Sequence, residues 1–334
     1  MGLELRGRDR RRRGVRPRRS STLAHAAGLH HVIEAVDIGA RGGPDVSLFP
    51  IRDLVSWLVL EPDPDERERL VRDHNASWRS VRVVGDAVGT PGERELHLYR
   101  QRGCSSLLEA DKQLARRFNR QEYYELEDVV HLHVRALDDV LAECDVTPSY
   151  LKIDIQGAEL EAFAAGRATL ESLVMLRCEV SFLQSYRGQP LFGEMLEFLM
   201  EQGFELLFFP EIHHWRRGSR VKYPRVDRDR SIASPGQLAH GDAVFFRTPE
   251  MIAKGANGPI RLLDLAFLAY AIGQTDLATA ALALADDQVT IERTRLTPGE
   301  LAAQMSRVDL RSKRKRARQR LPREALAVAL GRRV

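Results

Sequence analysis

The chain has 334 residues, of which 43% are hydrophobic and 29% charged, a composition typical of a globular protein with a sizeable core. No run of 18 apolar residues occurs, which argues against a membrane-spanning helix, and three scattered cysteines are too few for a disulfide framework or a zinc cluster. The net charge of +4 conceals an uneven distribution: residues 1–19 carry +7 and residues 311–323 carry +8, which leaves −11 for the rest.

Two basic ends therefore flank an acidic globular part. We expect residues 1–28 to form a disordered basic arm, because they are rich in arginine and poor in apolar side chains. The arginines at positions 10–13 are not followed by an apolar segment, which argues against an export signal. Together with the cysteine usage, this predicts a cytoplasmic protein.

Strand-like and helix-like segments alternate from about residue 31 onwards. We predict strands at 31–39, 55–62, 81–89, 129–137, 149–157 and 173–182, and helices at 63–76, 158–170 and 191–203. The alternating segment 92–99 predicts an antiparallel insertion, and the charged segment 103–128 predicts a loop with a helix that covers the site. FELLFF (204–209) and GDAVFFR (241–247) are predicted to be antiparallel edge strands.

This alternation predicts the α/β class, with βαβ units and a mainly parallel, Rossmann-like sheet that has antiparallel edge strands. Beyond about residue 258 the composition turns to alanine and leucine, and residues 261–285 and 298–330 are predicted to be helical. We therefore expect one α/β domain at 29–250, followed by a helical C-terminal extension at 258–334 that includes a basic segment. In such folds ligands bind at the carboxyl ends of the strands.

The stretch VDIGARGG ends the first predicted strand with a carboxylate, Asp37, followed by three glycines. A dinucleotide site needs G-x-G-x-x-G, so that backbone amides reach a pyrophosphate. Here Gly43 is out of register, and a negative charge at Asp37 disfavours phosphate. A ligand without phosphate but with a positive end, such as S-adenosylmethionine, fits better. Asp37 can brace the glycine loop and hold the ligand's ammonium group, directly or through water, and Gly39 lets the backbone approach closely.

The next two predicted strands also end in acids. Glu61 lies 24 residues after Asp37, where a carboxylate can accept hydrogen bonds from both ribose hydroxyls. Asp86 ends the third strand and can accept a hydrogen bond from an adenine amino group. An acid at a strand end is more often a helix cap or a solvated side chain, but three in succession favour a nucleoside site.

At this point the sequence resembles the FkbM-type S-adenosylmethionine-dependent methyltransferases. The most specific motif is YLKIDIQGAELEAF at 150–163. The other matching segments are DIGARGG (37–43), LEPDP (60–64), GDAVG (85–89), SSL (105–107), VRALDDVL (134–141), CEVSF (178–182) and GDAVFFR (241–247). The family more often has Glu at the position of Gln156 and often Asn at the position of Arg41. The resemblance implies a class I methyltransferase domain, with Ala40 and Ala87 beside the glycines and acids that hold the cofactor.

The resemblance also implies O-methylation of a hydroxyl on a sugar, glycan or natural product. Such a transfer needs the hydroxyl aligned with the methyl carbon and a group that removes its proton. Lys152, Asp154 and Gln156 are expected to share one face of their strand, because side chains alternate. We take Asp154 as the candidate base or hydroxyl-orienting group. Catalytic candidates nearby are Lys152, Glu159 and Glu179. In an alternative interpretation, Asp154 caps the following helix and pairs with Lys152.

Carboxylates in this number could also hold Mg²⁺ that binds a substrate diol. Three other functions remain open at this stage: a nucleic-acid methyltransferase, a non-catalytic scaffold that kept the fold, and a nicotinamide dehydrogenase. The basic tails favour the first, but enzymes that methylate base amino groups carry Asp/Asn-Pro-Pro-aromatic where this chain has KIDIQG. We therefore expect a hydroxylated small molecule or glycan as the partner. The sequence is also compatible with a homo-oligomer.

Overall fold

The computed structural model of the chain describes residues 30–74, 78–218 and 235–307. The predicted basic arm at 1–28, the basic segment at 311–323 and most of the predicted helical segment 298–330 lie outside these ranges. Within them, no helix combines the length and the apolar character that crossing a membrane requires.

The described residues form two sheets. Their strands are β1 (Ile33–Ile38), β2 (Val55–Leu60), β3 (Ser80–Val84), β4 (Ala87–Val88), β5 (Gly92–Tyr99), β6 (Leu126–Arg135), β7 (Tyr150–Ile153), β8 (Met175–Ser181), β9 (Glu205–Trp215) and β10 (Gln237–Phe246). The larger sheet has seven strands in the order β3-β2-β1-β7-β8-β10-β9, and the smaller has the order β4-β6-β5. The first five strands of the larger sheet run parallel, which confirms the predicted α/β class and mainly parallel sheet.

One detail of the predicted sheet was wrong. β10 is antiparallel to both of its neighbours, β8 and β9, and it lies between them instead of at the edge. β9 forms the edge and runs in the direction of the parallel strands, because it is antiparallel to the one reversed strand. β9 and β10 are consecutive in the sequence and pair with each other, as their local apolar patterns suggest. The position of β10 inside the sheet, however, depends on its long-range pairing with β8.

The smaller sheet contains the segments between β3 and β7. β5 pairs antiparallel with β6, which confirms the insertion predicted at 92–99. The strand predicted at 129–137 is β6 and belongs to this sheet, not to the larger one. The strand predicted at 81–89 is interrupted at Gly85 and Asp86, where the chain leaves one sheet for the other.

The helices are α1 (Pro64–His74), α2 (Lys112–Arg117), α3 (Leu137–Glu143), α4 (Glu159–Ala164), α5 (Arg167–Ser172), α6 (Phe192–Glu201), α7 (Pro249–Lys254), α8 (Gly258–Ala271), α9 (Thr275–Leu284) and α10 (Asp287–Thr294). Residues 298–307 are also helical. The single helix predicted at 158–170 is divided into α4 and α5 at Gly166. A Cβ atom at Gly166 would lie 2.7 Å from the side chain of Leu137, so only glycine allows this close approach to α3.

Each face of the larger sheet is covered by helices. On one face, Val36 and Ile38 of β1 pack in a cluster with residues of α3, α4 and α6. On the other face, Ala35 of β1 and Trp57 of β2 pack with α8 and with Met305. The C-terminal helices therefore share a hydrophobic core with the sheet. The division of the chain near residues 250–258 into a domain and an extension stays a prediction.

A buried polar cluster adds to this contact. The Asp264 carboxylate on α8 binds the imidazole of His31 at 2.6 Å and accepts a hydrogen bond from the hydroxyl of Ser149. His31 precedes β1 and Ser149 precedes β7, so one helix side chain joins the starts of two central strands.

Phe267→Ala tests whether α8 belongs to the main core. Phe267 is fully buried, so we expect the free energy of unfolding to fall by about 3–5 kcal/mol while urea unfolding keeps one transition. The control is Leu284→Ala at the end of α9, where the side chain is 45% exposed and the loss should be about 0.5 kcal/mol. A small loss at Phe267, or a separate transition for the helices, would indicate an independent appendage.

Candidate functional site

A cavity of about 700 Å³ opens at the carboxyl ends of β1, β2, β3 and β7, within the size range of cofactor sites. The smaller sheet and the segment 102–107 cover it. Of the residues predicted to bind the cofactor or to act in catalysis, those that line it are Gly39, Glu61, Asp86, Ala87, Lys152 and Asp154. The structure therefore brings together residues that are up to 115 positions apart in the chain, from Gly39 to Asp154.

Asp37 lies beneath this cavity and does not line it. Its carboxylate is fully buried and accepts hydrogen bonds from the backbone N–H of Asp45, at 3.1 Å, and from Lys152 Nζ, at 3.3 Å. Burial raises the pKa of Asp37 to about 6, although the Lys152 ammonium opposes the shift. Asp37 thus holds the loop that follows β1, which is the bracing part of its predicted role, and its contact with a cofactor stays a prediction.

The glycine loop needs its glycines. Gly39 has φ of +77°, and a Cβ there would lie 2.2 Å from the carbonyl oxygen of Asp154, so the loop touches the backbone at the end of β7. Gly43 also has a positive φ, of 105°. Ala40 is buried in the sheet core. Ala40 and Gly43 therefore shape the loop from behind without lining the cavity.

Glu61 and Asp86 lie on the opposite side of the cavity from β7. Glu61 Oε1 accepts a hydrogen bond from the backbone N–H of Asp63 at 3.0 Å, and Oε2 accepts none from the described residues. Burial raises the pKa of Glu61. Asp86 is paired with Arg135 at 2.9 Å, and Ala87 begins β4 beside it. Both carboxylates are therefore positioned to accept hydrogen bonds from a ligand.

Gln156 connects the groups at the end of β7. Its Nε2 donates to Asp154 Oδ1 at 2.7 Å and to Glu179 Oε2 at 3.0 Å, and its Oε1 accepts from the hydroxyl of Tyr186 at 3.0 Å. The residue adopts a left-handed conformation with φ of +60°. Lys152, Asp154 and Gln156 all line the cavity, but strand alternation is not the reason, because β7 ends at Ile153 and Ile155 lines the cavity as well.

Glu159 lies under the turn at residues 155–157. Its Oε1 accepts hydrogen bonds from the backbone N–H groups of Ile155 and Gly157, at 2.9 and 3.1 Å. Burial, with the nearby Glu179 and Asp154 carboxyls, raises the pKa of Glu159 to about 8. These contacts suit a group that holds the turn in place.

Carboxylate oxygens of Asp154, Glu159 and Glu179 come within 4.8 Å of one another. Donors already point at each of them: the Gln156 amide at Asp154 and Glu179, and backbone amides at Glu159. The hydrogen bonds thus account for this proximity without a cation, and Mg²⁺ stays a prediction from the sequence.

A second cavity, of about 240 Å³, adjoins the first, and Gly103 and Gln156 line both. Its wall is rich in aromatic side chains, with a carboxylate, an imidazole and a guanidinium among them. These side chains are Tyr123, Tyr124, Tyr186, Trp215, Glu179, His240 and Arg120. Of the segment 213–217, Trp215 reaches this wall.

Glu179 and His240 form a hydrogen-bonded pair in the second cavity. The distance between His240 Nδ1 and Glu179 Oε1 is 2.9 Å, and the ring of His213 stacks on His240 with centroids 4.6 Å apart. Burial lowers the pKa of His240, whereas burial and the nearby Asp154 and Asp242 raise the pKa of Glu179. Sequence reasoning missed His240, although it directly precedes the GDAVFFR motif.

The sequence profile of the methyltransferase FkbM domain matches residues 37–206, just over half of the chain. This chain belongs to the FkbM methyltransferase family. It is therefore an S-adenosylmethionine-dependent methyltransferase, which confirms the resemblance seen in the motifs.

Relatives of this FkbM methyltransferase include the 2-O-methyltransferase NoeI of Sinorhizobium fredii (strain NBRC 101917 / NGR234). The two are 25% identical over 179 residues, or 52% of this chain and 72% of NoeI. The crystal structure of the methyltransferase FkbM from Methylobacillus flagellatus KT is 16% identical, with a TM-score of 0.34. The match covers 64% of this chain but only 43% of that one. A precorrin-6y C5,15-methyltransferase from Geobacter metallireducens GS-15 is 12% identical over 67% of this chain and 85% of its own, with a TM-score of 0.30.

The residues of the larger cavity fit the cofactor of the family. Its wall offers carboxylates to hydroxyl and amino groups, and Gly39 lets the loop after β1 pack against the backbone of Asp154 at the floor of the cavity. The arginines and the lysine of this wall are each paired with a carboxylate and so are less available to a phosphate: Arg41 with Asp63 at 3.3 Å, Arg102 with Glu127 at 3.4 Å and Lys152 with Asp37 at 3.3 Å. A nucleoside with a positive end suits this wall better than a dinucleotide.

Glu159→Gln tests the position of the buried carboxyl under the turn. The pKa of Glu159 is about 8 in the folded chain and near its usual 4.5 in the unfolded one, so the folded state binds an extra proton between these values. The stability that this carboxyl contributes is therefore lost as pH rises from about 4.5 to about 8.

We expect urea unfolding at pH 5 and pH 8 to show a smaller fall in unfolding free energy for the glutamine variant than for the wild type. Glu201→Gln, at an exposed position on α6, is the control and should follow the wild type. Identical pH dependence in the Glu159 variant would mean that this carboxyl is not buried as described.

Proposed function

We propose that this enzyme transfers the methyl group of S-adenosylmethionine to a hydroxyl of a sugar, a glycan or a sugar-bearing natural product. The observation that carries the proposal is the junction of two cavities at Gln156 and Gly103: one lined by acids at strand ends, the other by aromatic rings. Aromatic faces pack against the apolar face of a sugar ring, and polar side chains around them bind its hydroxyls. The relative NoeI is a 2-O-methyltransferase, which supports methyl transfer to an oxygen.

In this proposal the larger cavity holds the cofactor. Glu61 accepts hydrogen bonds from the ribose hydroxyls, and Asp86 accepts one from the adenine amino group, with Ala87 beside it. Gly39, with Ala40 and Gly43 behind it, shapes the loop against which the cofactor lies, and Asp37 fixes that loop. Bound in this way, the cofactor supplies a sulfonium-activated methyl group to a nucleophile in the adjoining cavity.

The second cavity then holds the acceptor, and its hydroxyl must lose a proton. His240 is the group that suits this step best, because Nε2 makes no hydrogen bond to a described residue and Nδ1 is fixed by Glu179. The lowered pKa of His240 keeps the imidazole neutral, and therefore able to accept a proton, at neutral pH. Glu179 stabilises the imidazolium that forms.

Asp154, the candidate base from the sequence, takes an orienting role in this proposal. Its Oδ1 accepts a hydrogen bond from Gln156, and the side chain lines the larger cavity, not the smaller one. Lys152 neutralises Asp37 beneath the loop, and Glu159 holds the turn that carries Gln156. Lys152 and Glu159, two of the four residues predicted to be catalytic, thus act by positioning other groups.

Calorimetric titration with S-adenosylhomocysteine tests the cofactor site. We expect binding in the micromolar range and no binding of NAD. Glu61→Gln should weaken S-adenosylhomocysteine at least about 10-fold, because it removes the charge that strengthens hydrogen bonds from ribose hydroxyls. The matched control is Glu34→Gln, because Glu34 lies at the start of β1, at the edge of the sheet opposite the cavity. A folded protein that binds neither ligand would sink the assignment of this cavity.

His240→Asn tests the proton acceptor. Asparagine keeps a donor near the position of Nδ1, and hence the contact with Glu179, but lacks Nε2. With a panel of methyl pyranosides as acceptors, we expect kcat to fall about 10²–10⁴-fold with little change in KM or in S-adenosylhomocysteine affinity. The wild-type kcat should fall as pH drops through the pKa of His240, which lies below its usual value of 6.5.

Asp154→Asn is the comparison variant, because it removes the other candidate base. We expect it to reduce kcat much less than His240→Asn and to keep the acid limb of the pH profile. A large loss in Asp154→Asn together with normal turnover in His240→Asn would instead identify Asp154 as the base.

A further inference from the structure

Arg120 lines the second cavity without an anionic partner among the described residues. Its guanidinium carbon lies 5.0 Å from the ring centroid of Tyr123 and 5.1 Å from that of Trp215. No described carboxylate lies within ion-pair distance of it, and no described group accepts a hydrogen bond from its guanidinium. Arg187 differs in this respect, since it pairs with Glu109 at 2.8 Å.

Contact with the faces of two rings leaves the N–H groups of a guanidinium available to a ligand. Attraction between the cation and the aromatic faces fixes its plane, whereas its five N–H donors point outward within that plane. A guanidinium in this state matches an oxyanion with two parallel hydrogen bonds, and it loses little side-chain entropy on binding because it is already held.

The other charged groups of this cavity do not cancel the charge of Arg120. Glu179 is the carboxyl on its wall, and that group is engaged by Gln156 and His240. Burial and the neighbouring Asp154 and Asp242 raise the pKa of Glu179.

The positive field of Arg120 also reaches two other groups of the wall. It is among the factors that lower the pKa of His240, after burial and against the opposing Asp154, Asp242 and Glu211 carboxylates. It likewise opposes the rise that burial causes in the pKa of Tyr124. The charge of Arg120 is therefore felt at the part of the wall that carries His240 and Tyr124, and this part is lined by rings.

We infer that the acceptor is an acidic sugar, whose carboxylate, sulfate or phosphate binds Arg120 while its reacting hydroxyl faces His240. The inference rests on the proposed function, since it names the class of acceptor for the same cavity. A volume of about 240 Å³ accommodates one sugar ring with one such group. Arg120 then selects the substrate and sets the orientation of the ring on Trp215.

The test is calorimetric titration of the full-length protein, loaded with S-adenosylhomocysteine, with three named sugars. Methyl β-D-glucuronide carries a carboxylate, glucose 6-phosphate carries a phosphate, and methyl β-D-glucoside is neutral. We expect at least one acidic sugar to bind about 10-fold or more tightly than the neutral one, and this preference to weaken as KCl is raised.

Arg120→Met should remove the preference, because methionine keeps an unbranched apolar contact with the rings but has no charge. Arg187→Met, at the exposed and paired arginine, is the matched control and should keep the preference. Both variants should bind S-adenosylhomocysteine as the wild type does, which also shows that they are folded.

Equal affinity for the neutral and the acidic sugars, no binding of either acidic sugar, or an unchanged preference in Arg120→Met would each overturn the inference. Faster methyl transfer to the neutral sugar than to either acidic sugar would do so while leaving the proposed function intact. Failure of the wild type to bind S-adenosylhomocysteine would count against the proposed function itself, and the same titrations on the unloaded protein would still decide the role of Arg120.

Discussion

The contact between Asp37 and Lys152 is the interaction on which the site depends. A fully buried carboxylate is costly unless its charge is matched and its oxygens accept hydrogen bonds, and Asp37 has both an ammonium group and a backbone amide. These contacts join the end of β1 to β7 and to the loop before Asp45. Asp45 continues the network to the hydroxyl of Tyr150 and to Arg177, which pairs with Asp242 on β10. Polar contacts therefore link β1, β7, β8 and β10 across the larger sheet.

Gln156 has a related function at the junction of the cavities. Its amide donates to two carboxylates, Asp154 and Glu179, that would otherwise repel each other. A glutamate here, which the family more often has, would place a third acid in the same space and would need a proton or a cation to relieve it. The glutamine of this chain thus suits a site in which an amide bridges two neighbouring acids by hydrogen bonds. It also fixes Glu179 in the orientation that His240 requires.

Much of the fold was predictable because its signals are local. Apolar runs marked β1, β2, β7 and β8, with glycines after β1 and β7, and the acids near their ends had to meet at one edge of a parallel sheet. The order of β9 and β10 was less accessible, because both are apolar strands and only pairing with β8 decides which lies inside. The contact of α8 with the sheet was also missed, since an Ala/Leu-rich helix gives no indication of where its apolar side packs.

The sequence by itself determined the class of protein and of cofactor. Glycines with positive φ, carboxylates at strand ends and the KIDIQG motif each depend on residues that are close in the chain, so their chemistry can be read in order. Only the tertiary structure decided which groups meet around the second cavity. Arg120 follows α2, Glu179 lies on β8 and His240 lies on the reversed strand β10. About 60 residues separate each of them from the next. It also decided that Asp37 and Glu159 are buried supports, because burial is a property of the packed chain and not of any motif.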